Sequence, residues 1–337
     1  MNHSGFRGIL GALAAAAALL CGACAHADGT RIVAVGDLHG DYAAYQAIMK
    51  DAGLIDAKGK WKGGTATLVQ LGDIPDRGPD TLKIIRHLMK LEKQAKKKGG
   101  KIIPLIGNHE AMNMTGDLRY VTPGEYAAFR TKKSAAIRAQ YFKTHVAAIA
   151  ARYRTANPAM TDDAVKAKFE ADVSLGYIEH RAAWSPKGEI GKWILTHDAL
   201  AWIDRTVFVH GGLSETSAYA NWSRDQINAK VRELLAAGAP GGILEDEKGP
   251  LWYRGNVTGT PEAAAEVDRL LGVWGADRMV VGHTPSLTGI KALYGGKVIQ
   301  ADTGASSAMG GVRSWLEIGA AGIVAHDSGK TTVITPP

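Results

Sequence analysis

Five short stretches place histidine, aspartate or asparagine beside glycine at the end of an apolar run: GDLHG (36–40), GDIPDRG (72–78), GNHE (107–110), HGG (210–212) and GHT (282–284). Four of the eleven histidines, His39, His109, His210 and His283, fall in these stretches. Any one of them alone reads as a turn or a capped strand end. Taken together they present Asp37, His39, Asp73, Asn108, His210 and His283, which is a ligand set. Carboxylate and amide oxygens with imidazole nitrogens suit divalent cations of intermediate hardness such as Mn, Fe, Zn or Ni. Two such ions about 3.5–4 Å apart need a shared carboxylate and roughly this many ligands. Glycine beside each ligand lets the backbone turn sharply enough to aim side chains at one point.

The elements that must carry these residues follow from the apolar pattern. RIVAVGDLHGD (31–41), ATLVQLGDIPDRG (66–78) and KIIPLIGNHE (101–110) each read as a buried strand running into a polar loop. DYAAYQAIMKDAGL (41–54) has helical spacing, with Tyr42, Tyr45, Ile48, Met49 and Ala52 on one face and Gly53 as a stop. PDTLKIIRHLMKLEKQAKKKGG (79–100) opens with proline at a helix start and closes on lysines and glycine. Three strand–helix units in a row imply an α/β fold with right-handed crossovers, and the polar strand ends then gather along one rim. RTVFVHGGL (205–213), DRMVVGHTP (277–285) and KALYGGKVIQADTGAS (291–306) resume the strands, the last with a hairpin turn at Gly295-Gly296. The tail from Ser314 suggests two more antiparallel strands. A second sheet packed on the first is the expected architecture.

Between about Thr115 and Lys192 the strand rhythm stops and the chain becomes helix-forming. Its centre, 125–154, carries seven Lys/Arg against one Glu. A helical insertion or cap over about 115–200 is expected there, its basic face in solvent. The 46% hydrophobic and 22% charged content places the whole among ordinary globular proteins. Nucleic acid is not an expected partner, since the lysine run at 93–98 has no interleaved aromatic residue.

The first 27 residues read as a leader rather than as part of the fold. Arg7 precedes an apolar stretch from Ile9 to about Leu20, and Ala25-His26-Ala27 supplies a small-x-small cleavage site. The apolar stretch is too short for a membrane span, which needs about 20 residues. Export to a bacterial periplasm is expected, with residues 28–337 as the functional domain and no stable membrane insertion after cleavage. Cys24 offers an alternative, as the acylated residue of a lipoprotein. Both cysteines, Cys21 and Cys24, lie in the leader, so the rest of the chain has neither disulfides nor the thiolates of a structural zinc site.

The ordered run GDLHG, GDIPDRG, GNHE, HGG, GHT resembles the calcineurin-like metallophosphoesterases, specifically their phosphoprotein phosphatase branch. LWYRG (251–255) and ADTGAS (301–306) make it most similar to the Shewanella-like bacterial phosphatases. The resemblance implies a central β-sandwich of two mixed sheets flanked by helices. It implies that Asp37 and His39 hold a first metal, that Asp73 bridges two, and that Asn108, His210 and His283 complete the second. His109 then corresponds to the general acid, Asp76 to the carboxylate orienting it, and Arg77, Arg254 and Asn108 to groups that bind the substrate phosphate.

The activity implied is a dinuclear-metal phosphomonoesterase, Mn²⁺ being the expected ion in vitro. A metal-bridging hydroxide would attack phosphotyrosine, phosphoserine or phosphothreonine in a protein or peptide. A dinucleoside polyphosphate hydrolase, or a broad esterase of small phosphoesters, is the alternative, since those relatives share GDxHG and GNH. Asp76-Arg77-Gly78 and Glu110 favour the protein phosphatase branch. A metal-binding scaffold without catalysis is the non-enzymatic alternative. Glu110 and Asp302 are expected to support the ligands rather than bind metal. His87, His145, His180, His197 and His326 lack the glycine context and are expected to be structural or surface residues.

Overall fold

The computed structural model describes residues 31–334. The expected leader, with Cys21 and Cys24, lies outside the described residues. Ile32–Val35 (β1), Thr67–Gln70 (β2) and Lys101–Pro104 (β3) pair in parallel in that order. Tyr42–Asp51 (α1) and Thr81–Lys96 (α2) return the chain between them. The Asp41 carboxylate caps α1 by accepting the Ala44 N–H at 2.8 Å, and Gly53 ends it at φ +66°.

Six helices without a strand follow: Asn108–Thr115 (α3), Pro123–Ala128 (α4), Ser134–Ala156 (α5), Asp162–Asp172 (α6), Tyr177–Trp184 (α7) and Glu189–Ile194 (α8). On α5 only Ser134 and Ala150 are buried; Lys143 and Arg152 stand in solvent, while the half-buried Arg138 and Arg154 donate to Glu170 O and Met160 O.

The second sheet is built from Leu200–Ile203 (β4), Thr206–Val209 (β5) and, after the helices Arg224–Ala237 (α9) and Pro261–Trp274 (α10), from Arg278–Val281 (β6), Lys291–Leu293 (β7) and Val298–Gln300 (β8). Its order is β4-β5-β6-β8-β7, parallel in the middle and antiparallel at both edges. The sequence pattern starts this sheet at Arg205 and misses β4. Asp204 and Arg205, both at positive φ, form the tight turn that folds β4 back on β5.

The tail also differs from expectation. It forms three strands, Ser314–Gly319 (β9), Gly322–Asp327 (β10) and Lys330–Ile334 (β11). β9 pairs antiparallel with β1, so the tail completes the first sheet, in the order β11-β10-β9-β1-β2-β3. β11 is an edge strand exposed except at Ile334, which is why its Lys-Thr-Thr start carries no apolar signal.

The two sheets pack face to face. Ile32, Ala34, Val69, Leu316 and Ile323 of the first meet Phe208, Val280 and Ile299 of the second. Because side chains alternate along a strand, Val33, Val35 and Leu68 point the other way, onto α1 and α2. Val207, Val209, Met279 and Val281 likewise pack on Val267, Leu270 and Leu271 of α10. The central strands of both sheets are thus covered on both faces. Two mixed sheets flanked by helices is the architecture expected, and it sends the loops after β1, β2, β3, β5 and β6 to a common edge.

Candidate metal centre

Backbone hydrogen bonds lock these loops together before any side chain is considered. Leu38 and His39 donate their N–H groups to Asp73 O, both at 3.0 Å, and Gly40 donates to Ile74 O at 2.8 Å. Gly282 N–H reaches His210 O at 2.8 Å, joining the loops after β5 and β6. At Gly72 (φ +94°) a Cβ would come within 2.8 Å of His210 Nδ1 and 2.7 Å of Gly107 N, so no other residue fits. Five of the nine non-glycine residues at positive φ among the described residues are His39, Asp73, Asp76, Arg77 and His283. Such disfavoured backbone persists where the surroundings over-determine it, and here it collects at one place.

The Asp73 carboxylate lies at the centre. Its Oδ1 is 3.2 Å from His210 Nε2, and its Oδ2 is 4.0 Å from His39 Nε2 and 3.7 Å from His109 Nε2. Two buried triads result, His39–Asp73–His109 and Asp73–His210–His283, with the ligand atoms of each within 4.8 Å of one another. Asn108 Oδ1 stands 3.0 Å from His210 Nε2, and Asp37 Oδ2 stands 3.9 Å from His39 Nε2. His39 Nδ1 faces Pro75 O at 3.1 Å and His210 Nδ1 faces Leu71 O at 2.7 Å. A carbonyl on Nδ1 fixes the proton there and turns the Nε2 lone pair toward the centre, as metal-ligating histidines require. His283 Nε2 is buried with no hydrogen-bond partner.

The electrostatics also point to cations. Asp37, Asp73, Glu110 and Asp302 are all buried within the same cluster. Burial foremost, then the Asp302 and Asp73 carboxylates, push Asp37 well above the ordinary range. Burial and then Asp73 raise Glu110 in the same way. Asp73 itself stays low, because His210 and His109 outweigh its burial. Burial drives His39 down to about 4 and His283 to about 2, which leaves those two imidazoles neutral, while the Asp73 carboxylate raises His210 against its burial. Carboxylates crowded out of water beside neutral imidazoles fit divalent cations as the missing positive charge. Asp37, His39 and Asp73 would hold one ion, and Asp73, Asn108, His210 and His283 the other.

His109 belongs to the first triad by distance, but its ring is engaged otherwise. Its Nδ1 lies 2.5 Å from Asp76 Oδ2. Burial opposes its protonation, yet the Asp73 and Asp76 carboxylates outweigh burial and raise its pKa. His210 is raised too, but its Nδ1 faces the Leu71 carbonyl, whereas a carboxylate on His109 Nδ1 suits a proton donor, and Asp37 would then take the ligand place. Asn113 Nδ2 donates to Asp76 Oδ1 at 2.9 Å and to His109 O at 3.0 Å.

The two arginines flank this cluster. Arg77 carries its guanidinium over the Tyr120 ring, 4.7 Å from the centroid, and its Nε is buried without a partner. The Tyr120 ring is also 5.0 Å from that of His109. Arg254 is exposed, and its Nη1 donates to His283 O at 2.9 Å and Thr284 Oγ1 at 3.1 Å. The structure thus brings all ten sequence-chosen residues together. Asn113 and Tyr120 escaped sequence reasoning, although Asn113 has a signal, one helical turn after His109. The remaining histidines serve elsewhere: His197 lies 3.4 Å from Glu92, and His326 stacks on Trp315 at 3.7 Å.

The chain is similar to known proteins in sequence and in fold. Shewanella-like protein phosphatase 2 of Arabidopsis thaliana is 33% identical over 317 residues, spanning 91% of this chain and 78% of the relative. An uncharacterized protein of Schizosaccharomyces pombe is 33% identical over 304 residues, spanning 86% and 77%. The solved structure of the cold-active protein-tyrosine phosphatase of a psychrophilic Shewanella species shares the fold, with a TM-score of 0.68 over 91% of this chain and 81% of that one at 24% identity. Residues 30–287 match the calcineurin-like phosphoesterase family, a span that contains every ligand loop from Asp37 to His283. The chain belongs to that family.

Proposed function

We propose that this protein is a metal-dependent phosphomonoesterase that removes phosphate from phosphorylated protein side chains. The observation that carries the reading is the buried Asp73 carboxylate, which stands between His39 on one side and His210 and His283 on the other. Two divalent cations, when bound, would neutralise phosphoryl oxygens and make a water acidic enough to attack near neutral pH. The chain's own residues supply the rest. The Arg77 and Arg254 guanidinium groups, both beside the cluster, would bind phosphate oxygens in bidentate fashion, which a lysine cannot do. Hydrolysis replaces the ester oxygen on phosphorus with a water oxygen, and the departing oxygen needs a proton. His109 Nε2 supplies it while Asp76, at 2.5 Å on Nδ1, stabilises the imidazolium.

Protein substrates are supported by the names of the relatives, a protein phosphatase in Arabidopsis and a protein-tyrosine phosphatase in Shewanella. Mn²⁺ is the proposed ion, matching a mixed carboxylate, amide and imidazole set. Export to the periplasm is proposed from the leader pattern at 1–27. The test is to strip the protein with a chelator and assay phosphopeptides before and after adding Mn²⁺. Activity lost on stripping and regained with Mn²⁺ is expected; activity unchanged by stripping rejects the reading.

A further inference from the structure

The helical segment between β3 and β4 bonds to the Asp76–Arg77 turn at Tyr120 and faces it with the buried carboxyl of Glu125. Tyr120 O accepts the Arg77 N–H at 3.1 Å. Glu125, in the first turn of α4, is wholly buried, and its carboxyl faces the Asp76 main-chain N–H and the Thr81 hydroxyl. Behind it stands His180 of α7, also wholly buried, with Nε2 4.0 Å from Glu125 Oε1. Tyr126 and Phe129 wall this imidazole in, at ring separations of 5.1 and 5.0 Å. None of the four polar side-chain atoms of the pair completes a hydrogen bond of good geometry.

A carboxyl in such surroundings is a poor choice for stability alone, since burying it is unfavourable and an apolar side chain would pack there without that cost. What it faces is the turn that carries the partner of the general acid. Asp76 (φ 72°) and Arg77 (φ 64°) both sit in the left-handed region, which non-glycine residues keep only when neighbours hold them there. We infer that Glu125 is a positioning residue: from the helical segment it holds the Asp76–Arg77 turn so that the Asp76 carboxylate meets His109 Nδ1. The inference rests on the reading of His109 as the general acid.

The consequence is a dependence on the leaving group. An alkoxide needs the His109 proton far more than a nitrophenolate does, so a loosened dyad slows alkyl phosphates selectively. The experiment compares a phosphoseryl peptide with para-nitrophenyl phosphate on Mn²⁺-loaded wild type, Glu125→Leu, Glu125→Gln and His109→Asn. Glu125→Leu fills the space without a polar atom; Glu125→Gln keeps an oxygen toward the Asp76 N–H. For Glu125→Leu a loss of about tenfold or more in kcat is expected on the peptide, with about threefold or less on the nitrophenyl ester and little change in KM. Bound-metal content should be unchanged, and Glu125→Gln should restore the peptide rate.

Equal losses on the two esters, or none, in a metal-replete Glu125→Leu protein would overturn the inference, provided His109→Asn shows the selective loss. If Glu125→Leu does not fold, Thr81→Val removes the hydroxyl that Glu125 faces and should show the same selectivity in weaker form; wild-type kinetics there overturn it. Wild-type protein inert toward both esters would instead overturn the phosphatase reading, and the inference with it.

Discussion

The Glu110 carboxylate accepts the main-chain N–H of Asp73 at 2.9 Å. The same oxygen takes Gly107 N–H at 2.8 Å, and the other takes Ile74 N–H at 2.8 Å. One buried glutamate therefore fixes the loop that carries the shared ligand against the loop that carries Asn108 and His109. Glu110→Gln presents an amide N–H to at least one of these donors and leaves it unpaired. Each orphaned buried N–H costs about 1–3 kcal/mol. Melting should fall by several degrees and Mn²⁺ affinity should drop, read by thermal denaturation and equilibrium dialysis. Unchanged metal affinity would show that the loops keep their geometry without it.

Asp73→Asn removes the charge common to both triads while keeping the side chain's shape. Bound metal per chain should fall in inductively coupled plasma measurements, and kcat/KM on para-nitrophenyl phosphate should drop by about a hundredfold or more. Retention of full metal content would mean that the ions, if held, do not share Asp73.

His109→Asn keeps the fold and removes the proton donor. Turnover of phosphoserine peptides should fall by about 10²–10⁴, whereas nitrophenyl phosphate, with its good leaving group, should suffer much less. Equal losses on both would place His109 among the ligands, where its 3.7 Å approach to Asp73 Oδ2 would then belong.

Much of this site was legible because its parts are local. Each ligand loop follows an apolar strand directly, so Asp37, His39, Asp73, Asn108, His210 and His283 announce themselves by strand, glycine and polar residue in a row. The sandwich was legible for the same reason, since β1, β2, β5 and β6 are buried on both faces and read as apolar runs. What escaped depends on long-range partners or weak local signals. Tyr120 gains its meaning from Arg77, 43 positions earlier in the chain. β11 is an exposed edge strand, and its pairing with β10 depends on a turn at Ser328-Gly329 rather than on apolarity. Glu125 looked like an ordinary charge at the start of a basic helical stretch, and only the packing of α4 and α7 on the Asp76 turn buries it.

That burial makes Glu125 and His180 opposing contributors to stability. Burial foremost, then the Asp76 carboxylate, raises the Glu125 pKa well above the ordinary 4.5. Above about pH 4.5 the unfolded chain therefore releases a proton that the folded chain keeps, and stability falls as pH rises toward the raised value. Burial, then the Arg181 charge, lowers His180 from 6.5 to about 3. Between those values the unfolded chain binds a proton that the folded chain refuses, so stability falls as pH drops below about 6.5. Each unit of pH spent inside either window changes stability by up to about 1.4 kcal/mol per group. Glu125→Gln, neutral in both states, should melt with wild type near pH 4.5 and several degrees above it near pH 8, at about 2–4 °C per kcal/mol. His180→Phe, an aromatic that keeps to the Tyr126–Phe129 cage, should flatten the loss of stability between about pH 6.5 and pH 5. Melting curves of Mn²⁺-loaded protein across this range read both effects. A Glu125→Gln advantage that stays constant with pH would mean that the folded protein ionises Glu125 as readily as the unfolded chain does.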